Sequence, residues 1–533
     1  MVMTIVIFLA VLAAYVMVAA LLSRKIKNKD DFYVMGQQGS TLLVVGTLAA
    51  TYLSAVTLMG IAGISYNEGP VVLAGLGSFG AWIGTLIAVI FIGRKLRALG
   101  CKTMMDFFDY RFNNKWVSIV AVILMVIGLL GYGIIQLIGA GLVIAEIIDV
   151  PFPLIIIAFT LALLVFCSLS GMYGVVYTDT MMFFTMLAIA FLIAPLLMDT
   201  ASFEAMRNLG EQYSGYWTLA GTENRPLGWS ISQFLVWILF FACTPALVSR
   251  VFPAKSDLVV LKVGIIGIFF APAMQVMVYL ASAAMKVIDP SIEPLDRVMT
   301  VGFMEHTTPT LAGIGLAGLM ASIMSTASTL FVLTGFALAR DLYEKVFDRT
   351  VSERKGVTLG RASQIFVALV VCTIAIAQPA GVYWISIYAG AIFAVAWLPT
   401  IVAALTWKRM NATAALASML VGSISFVIVG EFQRQGWINL PTNIDNLMVS
   451  ITLGTLTLLA LGFLKSPSDY EIGSFREINR ESPSQATIRD FLARTDGIRL
   501  LRREYYLTWL IMAVTLTASA ILWGYLYLEL RQI

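Results

Sequence analysis

The chain has 533 residues, of which 59% are hydrophobic and only 12% charged, with a formal net charge of +4 and a single histidine. Soluble domains carry about a quarter charged residues, so this composition is that of a polytopic membrane protein and excludes a water-soluble catalytic domain. His306 alone excludes a multi-histidine metal centre, and Cys101, Cys167, Cys243 and Cys372 lack metal-ligand spacing and sit in or beside apolar segments as core residues.

Apolar runs of about 20 residues, enough to cross a bilayer, fall at 2–23, 40–66, 70–93, 116–146, 151–170, 175–198, 228–250, 257–285, 309–339, 361–378, 381–407, 412–430, 446–464 and 506–528, fourteen in all. The first run is followed, not preceded, by its basic residues, so it reads as a retained helix and not a cleaved signal. With both termini outside, the inner segments hold 28 Lys and Arg against six in the outer ones, and the positive-inside rule fixes that orientation. The basic residues serve topology, so no nucleic-acid partner is expected. The surrounding partner is the lipid bilayer.

The run 40–66, STLLVVGTLAATYLSAVTLMGIAGISY, carries Thr51, Tyr52, Ser54 and Thr57 in its middle, followed by Gly60 and Gly63. Hydroxyls and glycines at membrane depth allow a helix to unwind, and the freed carbonyls then need an ion, a solute or water; an intact, close-packed helix is the alternative. In 309–339, Ser322, Ser325, Thr326 and Thr329 recur at i, i+3, i+4 and i+7 with Ser328 at the edge, one stripe within roughly 100° of arc. Such a stripe either bonds its own preceding turn and packs closely, or forms a bed of oxygens for a hard monovalent cation. Residues 465–505 are polar, too short for a core, and read as a cytoplasmic linker before the last span. No paired carboxylates and no nucleophile with a base occur, so an enzyme is not expected.

The ordered motifs DFYVMGQQG, TYLSAVTLMGIAGISYNEG, FFDYRFNNK, SGMYGVVYTDTMMFF, PALVSRVFPAKS, MASIMSTASTLF with ARDLY, and WLPTIVAALTWKRMNATAALASMLVG resemble those of the sodium:solute symporter family, from Lys25 to about Arg409. The resemblance implies an all-α membrane protein with a LeuT-type core of two inverted five-helix repeats, 40–198 and 228–407. Residues 1–39 then hold the first helix and its cytoplasmic loop, 408–464 two accessory helices, and 506–533 the last helix. It also implies a multi-pass carrier of the plasma membrane, a bacterial inner membrane, whose coupling ion is Na+. Nothing in the chain bears on oligomeric state.

Carried over residue by residue, the family's shared sodium site falls on the carbonyls of Ala50 and Leu53, the carbonyl of Ser322 and the hydroxyls of Ser325 and Thr326. Sodium takes about five or six oxygens near ~2.4 Å, which carbonyls and hydroxyls supply in the manner of hard-cation sites. A second sodium, toward the cytoplasm, falls on Asp179, Ser325, Ser328 and Thr329. Asp179 reads equally as a carboxylate at the cytoplasmic start of its helix, and Met182 stands where the family often has Gln. One sodium moving down about 100 mV gains about 2.3 kcal/mol and a tenfold gradient adds about 1.4. It therefore supports roughly 500-fold accumulation of a neutral solute, whereas for a monoanion the voltage terms cancel.

The solute is expected near the midplane, with Tyr52, Thr57, Gln136, Gln233, Trp237, Thr244, Tyr388 and Trp397 as lining candidates. A sugar is disfavoured, because the third span is almost wholly apolar and a polyol would keep unpaired groups there. SAVTLMGIAG and TPALVSR are similar to the branch carrying small carboxylates and pantothenate, with Arg250 expected as a cytoplasmic anchor at its helix end. The resulting expectation is a sodium symporter for a monocarboxylate or pantothenate-like anion. The alternatives are a proline-like amino-acid symporter and a transporter-like sensor or interaction protein.

Overall fold

The computed structural model describes residues 1–479 apart from 26–28, 73–75, 348–350, 378–381 and 442–443. The described chain is all-helical, as a bilayer requires, since each backbone N–H and C=O must be satisfied within its own segment. Ten helices are long and apolar enough to cross a membrane, and two further pairs pass together as bent spans. Each expected span up to 446–464 meets a helix of this set or the shorter apolar helix Phe152–Cys167. The expected span 506–528 and most of the linker lie outside the described residues.

The helix Pro309–Phe336 forms the axis of the molecule. Thr308 opens it, its Oγ1 accepting from the Leu311 amide at 3.4 Å, and proline occupies the first turn, where no intrahelical N–H bond is lost. Its apolar residues run all round, so it can be stable only when surrounded, and from Gly315 to Phe336 it is buried throughout. Phe152–Ala188, Lys115–Ala145, Val2–Leu22 and Thr41–Tyr52 pack around it. Val2–Leu22 is tied in by Tyr15 Oη, which donates to Thr185 Oγ1 at 2.6 Å.

Three interruptions shape the core. Thr41–Tyr52 and Val56–Glu68 meet at 51°, and Leu227–Cys243 and Pro245–Val251 at 46°. The second break follows from Thr244–Pro245, because proline pushes the preceding residue out of helical conformation: Thr244 has ψ 120°. In the long run Phe152–Ala188, Gly171 takes φ 47° and ψ −162°, a conformation essentially restricted to glycine, and it divides the two expected spans there. Gly46 allows the broken helix to approach its neighbour, since a Cβ there would lie 2.6 Å from Thr180 Oγ1.

The segment expected as a plain linker begins as a helix, Asp469–Ile478, opened by a capping box between Ser468 and Glu471. It docks on Met104–Phe112 through Arg111, which is fully buried. Arg111 donates to the carbonyls of Ala404 (3.1 Å), Met410 (3.0 Å) and Glu471 (2.8 Å). Burial pulls its pKa down to about 10, so it stays charged at neutral pH. Nearby, Arg340 grips Asp106 with bonds of 2.9 and 3.1 Å, and Lys345 reaches Asp106 and Asp109 at 2.5 and 2.6 Å. These pairs tie the end of the axial helix to Met104–Phe112.

Candidate functional site

The break in the first bent span starts where the hydrogen-bond ladder stops. Leu53 N–H donates to the Ala49 carbonyl at 2.9 Å, and Leu53 then turns to ψ 85°. The amides that would have reached Thr51, Tyr52 and Leu53 bond elsewhere: Ala55 N–H to Gln136 Oε1 at 3.4 Å, Val56 N–H to Ser54 Oγ at 3.3 Å, and Thr57 N–H to the Ser54 carbonyl at 3.0 Å. Carbonyls are thus released inside the bundle, where water is scarce and partners are required.

The hydroxyl stripe lies against this break. Thr326 Oγ1 is 3.0 Å from the Ser322 carbonyl and 3.4 Å from the Thr51 carbonyl, so one hydroxyl joins the two helices. Ala50, Leu53, Ser322, Ser325 and Thr326 are all buried. Ser322 Oγ bonds its own Leu319 carbonyl at 2.7 Å, leaving only its backbone oxygen for the break. Ser325 Oγ lies against the Asp179 carboxylate without a normal hydrogen bond. A buried hydroxyl in that condition fits an oxygen ligand for a cation. Among the described residues no group of three or more His, Cys, Asp and Glu converges as a metal centre.

The other expected cation ligands are placed differently. Asp179 lies deep in its helix, fully buried, and not at a cytoplasmic helix start. Its Oδ2 is 3.1 Å from Arg250 Nη2 and accepts from Thr47 Oγ1 at 2.6 Å. Arg250, expected as a cytoplasmic anchor, is also fully buried. Arg250 sits on the short Pro245–Val251 arm of a bent span and is carried inward, where a buried cation requires a partner. Ser328 and Thr329 hydroxyls both donate to the Ser325 carbonyl, at 3.0 and 2.7 Å.

A small cavity, with free space for about one water, lies beside the break, lined by Val56, Thr57, Ile61, Gly77, Ser78, Ala81, Tyr132, Trp237, Phe241 and Gln275. Of the expected lining residues, Thr57 and Trp237 are in it. Tyr52 lines a neighbouring cavity with Trp82 and reaches this one only through Gln275, its hydroxyl donating to Gln275 Oε1 at 3.0 Å. Gln136 is buried against the break, with its Nε2 lacking a partner. Gln233 is buried one turn before Trp237, and the Thr244 hydroxyl donates to the Phe240 carbonyl at 2.7 Å.

Two expected residues are set apart from the pocket. Tyr388 is 62% exposed and packs against Phe426; its helix turns that face outward. Trp397 is buried between Phe108 and Phe393, a packing role.

Gln275 is the residue that sequence reasoning missed. Its Oε1 accepts from Trp82 Nε1 at 2.6 Å as well as from Tyr52. Indole N–H is only ever a donor, so the atom facing Trp82 must be the amide oxygen, and the NH₂ is the group that Gln275 has left to offer. The signal was present as a lone amide three residues after Pro272 in the apolar run APAMQVMVY.

Over residues 32–422 the chain matches the sodium:solute symporter family. It is 25% identical to the sodium/pantothenate symporter of Haemophilus influenzae, over 79% of this chain and 90% of that one. The sodium/proline symporter of the same organism is 24% identical, over 75% and 82%. Among solved structures, a substrate-bound, outward-open Na+-coupled sialic acid symporter superposes with a TM-score of 0.71 at 16% identity, covering 88% of this chain and 99% of that one. The nucleobase-cation-symport transporter Mhp1 in a closed conformation gives 0.55 at 14% identity, over 85% and 95%. These likenesses establish the LeuT fold.

Proposed function

The chain belongs to the sodium:solute symporter family, and from that premise we propose that it imports a small solute bearing a carboxylate, a monocarboxylate or a pantothenate-like anion. It is a multi-pass membrane transporter and a sodium-coupled symporter. The finer reading rests on one observation: Gln275, oriented by two donors on its oxygen, presents an NH₂ donor in a pocket whose other polar side chains are Thr57, Ser78, Tyr132 and Trp237. A donor-rich, uncharged wall selects an acceptor-rich solute. Trp237 and Phe241 supply apolar faces for its carbon skeleton.

Sodium binds where the break meets the stripe, on the carbonyls of Ala50, Leu53 and Ser322 and the hydroxyls of Ser325 and Thr326. The Thr326–Thr51 contact supports this reading, because it couples the ion's ligands to the helix that also carries Thr57 into the solute pocket. Ion and solute therefore bias the same bendable element, which is what coupling requires. The membrane in question is the plasma membrane, with both termini outside.

A small amino acid such as proline is the second reading. It shares the carboxylate, and a proline symporter is among the relatives.

The test is uptake of radiolabelled pyruvate, pantothenate and proline into proteoliposomes under an inward sodium gradient, with a potassium-only control. Sodium-dependent accumulation of one of the first two is expected. Identical uptake without sodium refutes the reading, and sodium-dependent uptake of proline alone replaces it with the second.

A further inference from the structure

We propose that the Arg250 guanidinium is the resident cation of the Asp179 pocket, so that this chain binds one sodium per cycle and none at Asp179, Ser328 and Thr329. The inference rests on the sodium-symport reading above and adds its stoichiometry.

Asp179 and Arg250 are both completely buried, from two different helices, and pair at 3.1 Å. The contact is a charge pair without hydrogen-bond geometry at Nη2, and hydrogen bonds flank it on both sides. Thr47 Oγ1 donates to the same carboxylate oxygen at 2.6 Å, while Arg250 Nε donates to Thr51 Oγ1 at 2.7 Å, and Thr51 Oγ1 in turn donates to the Thr47 carbonyl at 2.8 Å. The remaining contact of the guanidinium is the Met172 thioether, 3.8 Å from Nη1. The pair carries no net charge, so Asp179 has no uncompensated negative charge with which to draw an imported ion.

A sodium on the other carboxylate oxygen would sit roughly 5 Å from the guanidinium. At an effective dielectric near ~20, that repulsion weakens binding on the order of a hundredfold. The neighbouring oxygens do not offset it, because the Ser328 and Thr329 hydroxyls are held on the Ser325 carbonyl and the Ser328 carbonyl has the Cys167 thiol at 3.8 Å.

What Asp179 does instead is positional. Its carboxylate lies against the Ser325 hydroxyl, and its Oδ1 is buried without a hydrogen bond. A carboxylate there attracts the hydroxyl proton and turns the oxygen's lone pairs away from itself, making them available to the sodium shared with Thr326. Arg250, through Thr51, braces the opposite wall of the same site. The consequence for transport is that one sodium with one monoanion moves no net charge, whereas one sodium with a zwitterion moves one.

The deciding measurement is equilibrium binding of radiolabelled sodium alone to the purified full chain, with potassium as the background salt. One sodium per chain is expected in the wild type. Arg250→Met, which frees Asp179, is expected to bind two, and the double variant Asp179→Asn/Arg250→Met one. Two sodium ions in the wild type, falling to one in Asp179→Asn, overturn the inference and leave sodium symport standing. One sodium in Arg250→Met shows that Asp179 is no cation locus and also overturns it. No sodium in the wild type overturns the symport reading and this inference with it. If Arg250→Met fails to fold, Arg250→Gln, which keeps a donor for Thr51 without the charge, is measured in its place: two sodium ions are expected, and one overturns the inference.

Discussion

Gln275→Glu isolates the group on which the solute assignment rests. The substitution keeps the shape of the side chain and retains an oxygen to accept from Tyr52 at 3.0 Å and Trp82 at 2.6 Å, so the wall of the pocket is preserved. Its other arm changes from a donor NH₂ to a carboxylate oxygen. A solute carboxylate about 4 Å away then meets a like charge, which costs about 4 kcal/mol at an effective dielectric near 20. That corresponds to roughly a thousandfold loss of affinity. Sodium alone, bound at the break, should keep its affinity within a few fold. The assay is thermal shift of the purified variant, titrated with the transported carboxylate at saturating sodium and, separately, with sodium alone. A variant that binds the carboxylate as tightly as the wild type refutes the placement of Gln275 in the solute site. Loss of sodium binding to the same extent as solute binding refutes the separation of the two sites.

Thr326→Ala removes the hydroxyl that bridges the Ser322 and Thr51 carbonyls, and the sodium concentration for half-maximal uptake is expected to rise on the order of ten- to a hundredfold; Ser322→Ala, whose hydroxyl serves only Leu319, should leave it nearly unchanged. Arg111→Met strips the donors from the Ala404, Met410 and Glu471 carbonyls. It should cost about 3 kcal/mol or more and release Asp469–Ile478, seen as faster amide exchange in that helix. Gly46→Ala drives a Cβ to 2.8 Å from the Thr180 Cα, a backbone atom that cannot swing aside. A loss of about 1–3 kcal/mol should appear as a lower melting temperature in detergent, and a variant as stable as the wild type would show that the two helices do not approach so closely.

Much of the architecture is written in local composition. Apolar runs long enough to cross a bilayer have few other fates, so each expected span up to 446–464 meets a described apolar helix. The two breaks also have local causes: hydroxyls and glycines around Leu53, and Thr244–Pro245. The pairing of Thr326 with the broken helix came from family likeness, since no periodicity links residues 275 positions apart.

The lining residues fared unevenly, for one reason. Tyr388 and Trp237 are both aromatic residues on apolar helices, and what separates an exposed ring from a pocket wall is the rotation of each helix against its neighbours.

The sequence by itself determined the membrane class and the oxygen-bearing stripe, because hydropathy and helical spacing are local quantities. Only the tertiary structure decided which oxygens have partners. Asp179 reads as a helix-end carboxylate or a sodium ligand until Arg250, 71 residues on in the chain, is seen at 3.1 Å. Gln275 is an ordinary amide until Trp82 and Tyr52 fix its oxygen. Electrostatic and hydrogen-bond roles depend on distances across the fold, and those are set when helices pack.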